Sequence, residues 1–327
     1  MNRPALVHLQ YGTREAAISV RKIKPAAWVA IFMGLLTLIG VLVATDYGQP
    51  IDEPAEQVIL QQNLKEYAYQ LFDVDHPVVQ ALDQRGIPRI SESIERDHGQ
   101  SAYYPVLALL PLMESNPSLW MTLWHVYTWL LFMLGVFALY LLARELGLNR
   151  LLSCATALLL YLSPRFFAEG HYNNKDVVLL ALVLCTLAAG ARFVRKPNLL
   201  WGALFSLAGA LAANTKIVGV FAWGLIGLAA LTVWWKNEGL CPRVIWRTLA
   251  AVGTFLLLYT LLTPAVWADP WGYIQYVVRN ATGFSRWTGV VLFKGALYDQ
   301  TRGMALPHSY LPTMVAVTVP LGFMLLM

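Results

Sequence analysis

The residues best suited to chemistry are acids and cations that sit against long apolar runs. Asp52 and Glu53 lie in Asp46-Tyr-Gly-Gln-Pro-Ile-Asp52-Glu53-Pro54, where the first apolar run ends. A charged side chain costs about 2.5 kcal/mol or more at the centre of a lipid-embedded helix, so both carboxylates belong at a membrane surface or in a wet cavity beside it. Far away in sequence, Ser163-Pro-Arg-Phe-Phe-Ala-Glu-Gly-His-Tyr-Asn-Asn-Lys-Asp176 crowds Arg165, His171, Lys175 and Asp176 together. An ionised carboxylate in a partly dry cleft can take a proton from an attacking hydroxyl or hold a divalent cation. Pro54 suits the first turn of a helix, whose positive N-terminus would keep Asp52 ionised. The competing account of Asp52-Glu53 is a helix cap with solvated charges. The same applies to Asp176, with Asn173 and Asn174 as further cap candidates.

A third group lies near the chain's end. Arg279, Arg286, Lys294, Arg302 and His308 alternate there with Trp271, Tyr273, Tyr276, Phe284, Trp287 and Tyr298. Cations at a bilayer surface pair with phosphate and aromatic rings suit the interface, so the set fits a lipid phosphate. Headgroup anchoring is the simpler account of any one of them. His125, beside Trp124 in an apolar run, reads as a core histidine bonded to a neighbouring helix. His76 and His98 in the first loop read as solvated, with metal ligation the alternative.

The elements that must position these residues follow from hydropathy. Of 327 residues, 57% are hydrophobic and only 13% charged, against about 25% charged in soluble domains. With a mean hydropathy of +0.53, the chain reads as an all-α polytopic membrane protein with about eight spans, near 27–45, 119–142, 151–163, 177–194, 198–213, 217–235, 248–267 and 311–327. The net charge of +5 comes from short segments between apolar runs, not from one patch, which excludes nucleic acid as a partner. The three cysteines, Cys154, Cys185 and Cys241, form neither a disulfide framework nor a metal spacing.

Topology follows from charge. The tail 1–26 carries five bases and one acid, which places the N-terminus in the cytoplasm. Residues 46–118 become a first external loop with twelve acids against four bases, and 269–310 a second. Asp52, Asp176, Lys216 and the second loop then share one extracytoplasmic face. Within the first loop, 54–72 reads as an amphipathic helix on the outer leaflet or as an ordinary helix packed on protein. The run from Leu151 meets Ser163-Pro164 too early for a full crossing, so either the helix breaks or 165–175 dips below the headgroups. The whole of 1–327 reads as one transmembrane domain.

Three segments carry a resemblance to a known family: Asp52-Glu53, the stretch from Pro164 to Asp176 and Leu306-Pro-His-Ser-Tyr-Leu-Pro312, with Asn214-Thr-Lys-Ile-Val-Gly219 in support. Together they resemble the GT-C class of membrane glycosyltransferases, and within it the bacterial protein mannosyltransferase and lipid A aminoarabinose transferase family. His308 stands where relatives often carry Trp, and the chain ends inside its eighth apolar run, as expected of a C-terminally truncated member.

The resemblance implies transfer of one sugar, with inversion, from a polyprenyl-phosphate donor to an acceptor hydroxyl on protein, lipid or glycan. The setting it implies is the bacterial inner membrane, with the site facing the periplasm. Asp52 is then the base, Glu53 orients the acceptor or a metal, and Asp176 is a second acidic contact. Arg165, Lys175 and Arg286 bind the donor phosphate, with Lys216, Arg279 and Lys294 in reserve. A divalent cation, if used, would fall to Asp52, Asp176 and His171. Two rival readings are a transporter or flippase of a lipid-linked or anionic solute, and a silent scaffold fragment. Ions near mid-membrane between symmetric halves would mark the transporter.

Overall fold

A computed structural model describes residues 25–283, 289–319 and 324. The basic tail and Arg286 lie outside the described residues. Helix α1 (Pro25–Val43) leads through a 3-10 turn (Ala44–Asp46) into the first loop, which folds as α2 (Glu53–Leu71), α3 (Pro77–Gln84), 3-10 segments at Ile90–Glu92 and Ser101–Leu109, and the single turn α4 (Leu112–Ser115). The bundle continues with α5 (Pro117–Glu145), α6 (Arg150–Tyr161), α7 (Pro164–Tyr172), α8 (Asp176–Arg195), α9 (Leu199–Thr215), α10 (Gly219–Glu238) and α11 (Pro242–Leu262). After α12 (Ala265–Ala268) and α13 (Pro270–Thr282) come a hairpin, β1 (Val290–Phe293) and β2 (Ala296–Asp299), and finally α14 (Tyr310–Thr318).

Among the described residues, five helices are long and apolar enough to cross a membrane: the α1 segment extended to Asp46, α5, α8, α10 and α11. The α6–α7 pair makes a sixth if its 68° bend is one broken span, and α9 is a shorter apolar helix. The bend falls at Ser163-Pro164, because Pro164 has no N–H to continue the ladder of α6. A span expected over 248–267 instead ends at Leu262, where Thr263-Pro264 interrupts an apolar run that hydropathy reads straight through. The eighth expected run begins as α14, and 320–323 and 325–327 lie outside the described residues.

Small residues let the central helices approach closely, the usual solution where lipid offers no hydrophobic drive. A Cβ at Gly135 of α5 would stand 2.6 Å from the Cα of Ala181 on α8. Trp129 and Tyr161 bind α1 to this centre: Trp129 Nε1 donates to the Thr37 carbonyl at 2.9 Å and the Tyr161 hydroxyl to that of Leu36 at 3.1 Å. The hairpin was not expected from the sequence. Its two-residue turn, Lys294-Gly295, has positive φ at both positions (49° and 78°), the geometry that matches the twist of paired strands.

Helix α2 is not a membrane-surface helix. Its buried residues include Glu53, Glu56, Gln57, Gln61, Gln62, Asn63, Lys65 and Glu66, while Val58 and Leu71 are exposed. It packs on the 3-10 segments, α3 and α12. Glu66 is fully buried and accepts hydrogen bonds from the hydroxyl and amide of Ser91 at 2.5 and 3.2 Å. Asn214, at the end of α9, clamps the loop to the bundle. Its side-chain oxygen accepts from the Ser101 amide at 3.0 Å, its carbonyl from the Gly99 amide at 2.8 Å, and its amide donates to Thr263 at 2.9 Å.

Candidate active site

The start of α2 faces a cavity of ≈580 Å3, lined by Asp52, Glu56, Gln62, Glu95, His98 and Lys175 among others. It lies at the end of the bundle where α1 stops and α5 and α8 begin. Asp52 occupies the N-cap position, yet its side chain makes no capping hydrogen bond. The carboxylate is exposed, and among the described residues no hydrogen bond or ion pair engages it. A carboxylate with no competing partner at a cavity wall can accept a proton from a hydroxyl.

Glu53 has the opposite environment. It is fully buried, and its Oε2 lies 2.9 Å from Nε2 of the equally buried His125 on α5. Its Oε1 accepts from Gln57 at 2.9 Å and from Gln49 at 3.2 Å. Both oxygens are engaged, and Glu53 is not among the residues that line the cavity. It fastens the first turn of α2 to a bundle helix, and so fixes the neighbouring residue, Asp52.

One helical turn further on, Glu56 forms the cavity's inner wall. It is buried, accepts from Lys175 Nζ at 2.8 Å, and is hydrogen-bonded by the Gln100 amide. The Lys175 side chain is 24% exposed and keeps one side toward the cavity. Asp176 does not line the cavity. It is exposed and paired with Lys216, while Asn173 supplies the cap of α8 by accepting from the Asp176 amide at 2.8 Å. The two acids therefore reach the same end of the bundle, but Lys175, not Asp176, meets Asp52 in the cavity.

The remaining candidate cations are dispersed. Arg165 is 58% exposed and binds Glu169 at 2.8 Å on its own helix. Arg279 is exposed on α13, and Lys294 sits at the hairpin tip, 5.2 Å from the ring of Phe293. Lys175, Lys216 and Arg165 are each matched to a carboxylate, so an arriving phosphate must compete with an acid for each.

The metal set of Asp52, Asp176 and His171 does not assemble. His171 is fully buried between Tyr47 and Trp129, stacked at 4.2 and 4.3 Å. Its ring nitrogens face the carbonyls of Phe167 at 2.9 Å and Gly40 at 3.1 Å. Both ring nitrogens are thus directed at backbone carbonyls and away from the Asp52 cavity, and the ring plugs α7 against the end of α1. The oxygen and nitrogen donors that do converge belong to Glu95, Asp97 and His98, whose ligand atoms lie within 4.8 Å of one another. Hard carboxylate donors of this kind suit a divalent cation. His98 is not simply solvated: its Nδ1 is 2.8 Å from Glu95.

Sequence reasoning passed over Glu56, Gln100 and Glu95. Only Glu56 carried a local signal, since it stands four residues from Asp52 and so follows it along one helix face.

A family model described as dolichyl-phosphate-mannose-protein mannosyltransferase matches residues 108–276, just over half of the chain. No curated protein and no solved structure shows a significant match. The matched stretch holds His125, Lys175, Asp176 and Lys216 and starts within the first loop, beyond Asp52 and Glu53. The chain belongs to the dolichyl-phosphate-mannose-protein mannosyltransferase family, a group of membrane glycosyltransferases that use a polyprenyl-phosphate sugar.

Proposed function

We propose that this protein transfers one sugar from a polyprenyl-phosphate donor to an acceptor hydroxyl at the extracytoplasmic face, with Asp52 as general base. The observation that carries the reading is the free Asp52 carboxylate, at a helix N-terminus but capping nothing, on the wall of a ≈580 Å3 cavity shared with Lys175. An alcohol is a poor nucleophile at neutral pH. As its oxygen attacks the anomeric carbon, its proton passes to Asp52, the bond from that carbon to the phosphate oxygen breaks, and polyprenyl phosphate departs. Attack opposite the leaving group inverts the anomeric centre.

Charge builds on the departing phosphate and calls for a preorganised cation. Lys175 is the first choice because it alone among the described candidates shares the cavity with Asp52. Lys216, held by Asp176, and Arg165 are the next candidates to guide the anionic headgroup, with Arg279, Lys294 and Arg286 as further phosphate contacts. A divalent cation, if the reaction uses one, would bind through Glu95, Asp97 and His98 beside the same cavity. Mannose is the sugar that fits the family, and protein the acceptor.

The assignment of sides rests on charge. The far end of the bundle collects Arg144, Arg192, Arg195, Lys196, Lys236, Arg243 and Arg247, the bias of cytoplasmic loops. That bias supports a cavity that faces outward, toward the periplasm of an inner membrane. The test is Asp52→Asn in membranes supplied with labelled polyprenyl-phosphate mannose. Removing a general base lowers the rate by about 10²–10⁴-fold. Because Asp52 is exposed and caps nothing, expression and folding should be unchanged. Transfer within a few-fold of the unaltered protein would remove Asp52 from the mechanism.

A further inference from the structure

At the opposite end of the bundle, α5, α8 and α9 leave a groove of ≈440 Å3 between them. Its walls are apolar, with Leu134, Phe137, Leu182 and Leu207 among them, and its only charged lining residues are Glu145 and Arg192. Along α8 the lining runs from Leu182 to Arg192, which at 1.5 Å per residue is about 15 Å. That is half of a hydrocarbon core of about 30 Å, the depth of one leaflet. Asp176 to Arg192 is about 24 Å along the same helix, so the groove opens to the leaflet away from the Asp52 cavity.

The mouth of the groove is strongly basic. Arg192 binds Glu145 at 2.5 Å and lies over the ring of Trp201 at 5.6 Å. Arg195 reaches the same carboxylate only at 3.6 Å and is 58% exposed. Arg144 and the exposed Lys196 adjoin them. Two arginines thus share one carboxylate, and with Arg144 and Lys196 next in sequence the surplus positive charge sits at the end of an apolar slot one leaflet deep.

We propose that this groove binds an anionic phospholipid, with one acyl chain in the slot and the phosphate on Arg195 and Lys196. Basic pockets between spans select anionic headgroups, because a zwitterionic lipid brings its own cation to the same site. A further transmembrane helix fits less well, since it would run through both leaflets and needs a channel about 10 Å wide. The proposal does not depend on which reaction the other end performs.

The full chain, purified in detergent, is titrated with phosphatidylglycerol or phosphatidylcholine, and bound lipids are counted by native mass spectrometry. Phosphatidylglycerol should be retained in preference to phosphatidylcholine. Arg195→Gln with Lys196→Gln removes two exposed cations, which should weaken phosphatidylglycerol binding about thirtyfold and leave phosphatidylcholine binding unchanged. Ala189→Phe, which fills the slot, should weaken both lipids. Leu207→Trp, from the facing helix, is the second filling variant should the first fail to fold. Equal retention of the two lipids by the unaltered chain, a preference that survives the double substitution, or binding indifferent to a filled slot would each overturn the proposal. So would a dimer that the filling variants split, because the occupant would then be a second copy of the chain.

Discussion

Removing His125 should unfold the first turn of α2 more than any other single change in the candidate site. Glu53 Oε2 has His125 as its one partner among the described residues, at 2.9 Å, and both side chains are fully buried. His125→Phe keeps the apolar packing beside Trp124 but leaves a carboxylate oxygen facing a ring edge. Breaking one side of a buried pair costs about 3–5 kcal/mol. Glu53→Gln is gentler: its amide oxygen still accepts from Gln57, and its NH2 can donate to Nε2 if the imidazole proton moves to Nδ1. An imperfect neutral hydrogen bond of that kind costs about 1–2 kcal/mol. In the double variant the stranded charge is gone, so the combined loss should fall short of the sum by about 2 kcal/mol. Reversible unfolding of the purified chain by SDS in mixed micelles measures all three variants. Losses that add within about 0.5 kcal/mol would show that the two residues do not act as a unit, and the tethering of α2 by this pair would be refuted.

Further expectations follow from single contacts. Gly135→Val should destabilise the α5–α8 packing by about 1–3 kcal/mol, as overpacking does, because even a Cβ would meet the Ala181 backbone at 2.6 Å; an unchanged SDS midpoint would contradict this. Lys175→Gln removes a charge-assisted partner for the donor phosphate, and should raise the donor KM about tenfold or more, whereas an unchanged KM would take Lys175 out of donor binding. Hydrogen bonds from Lys65 first and Tyr69 second hold the Asp83 carboxyl below its ordinary range. Its pKa is lowered on folding, so its stabilising effect is present above the usual carboxylate range and is lost as pH falls below about 4. Asp83→Asn should therefore flatten the acid limb of a stability–pH profile, and an unaltered limb would refute the coupling.

What the sequence made legible is what depends on length and hydropathy. Helices α1, α5, α8, α10 and α11 are long enough apolar runs that lipid leaves the backbone no alternative. The break at Ser163-Pro164 was readable because proline has a fixed backbone consequence. The end of α11 was not, because apolar residues continue past Pro264 and composition alone shows no boundary. The candidate site was legible as residue types but not as pairs. His125 was expected to bond a neighbouring helix, and only the fold supplies Glu53, 72 positions away, as its partner. The match of Lys175 to Glu56 spans 119 positions and that of Lys216 to Asp176 spans 40. Such matches depend on which helix ends meet, and no local spacing encodes that.

The packing of α2 on protein, the second of its two expected settings, points to how the site is built. Ile59 and Leu60 give α2 apolar contacts, in clusters with Ile90 and Ala265 and with Tyr103 and Trp124, but most of its buried side chains are polar and need specific hydrogen bonds. Each unpaired buried polar group would cost about 1–3 kcal/mol, and Gln62 Oε1 is one with no hydrogen-bond partner among the described residues. The three buried carboxylates are all matched, Glu53 with His125, Glu56 with Lys175 and Glu66 with Ser91. An apolar face would have allowed α2 to slide or roll at small cost. Paired buried ions allow one register only, since a shift of one residue would strand several charges at once. That rigidity is useful to a carboxylate that must stay unpaired. Asp52 can remain free beside a cavity because its immediate neighbour, Glu53, bears the structural role.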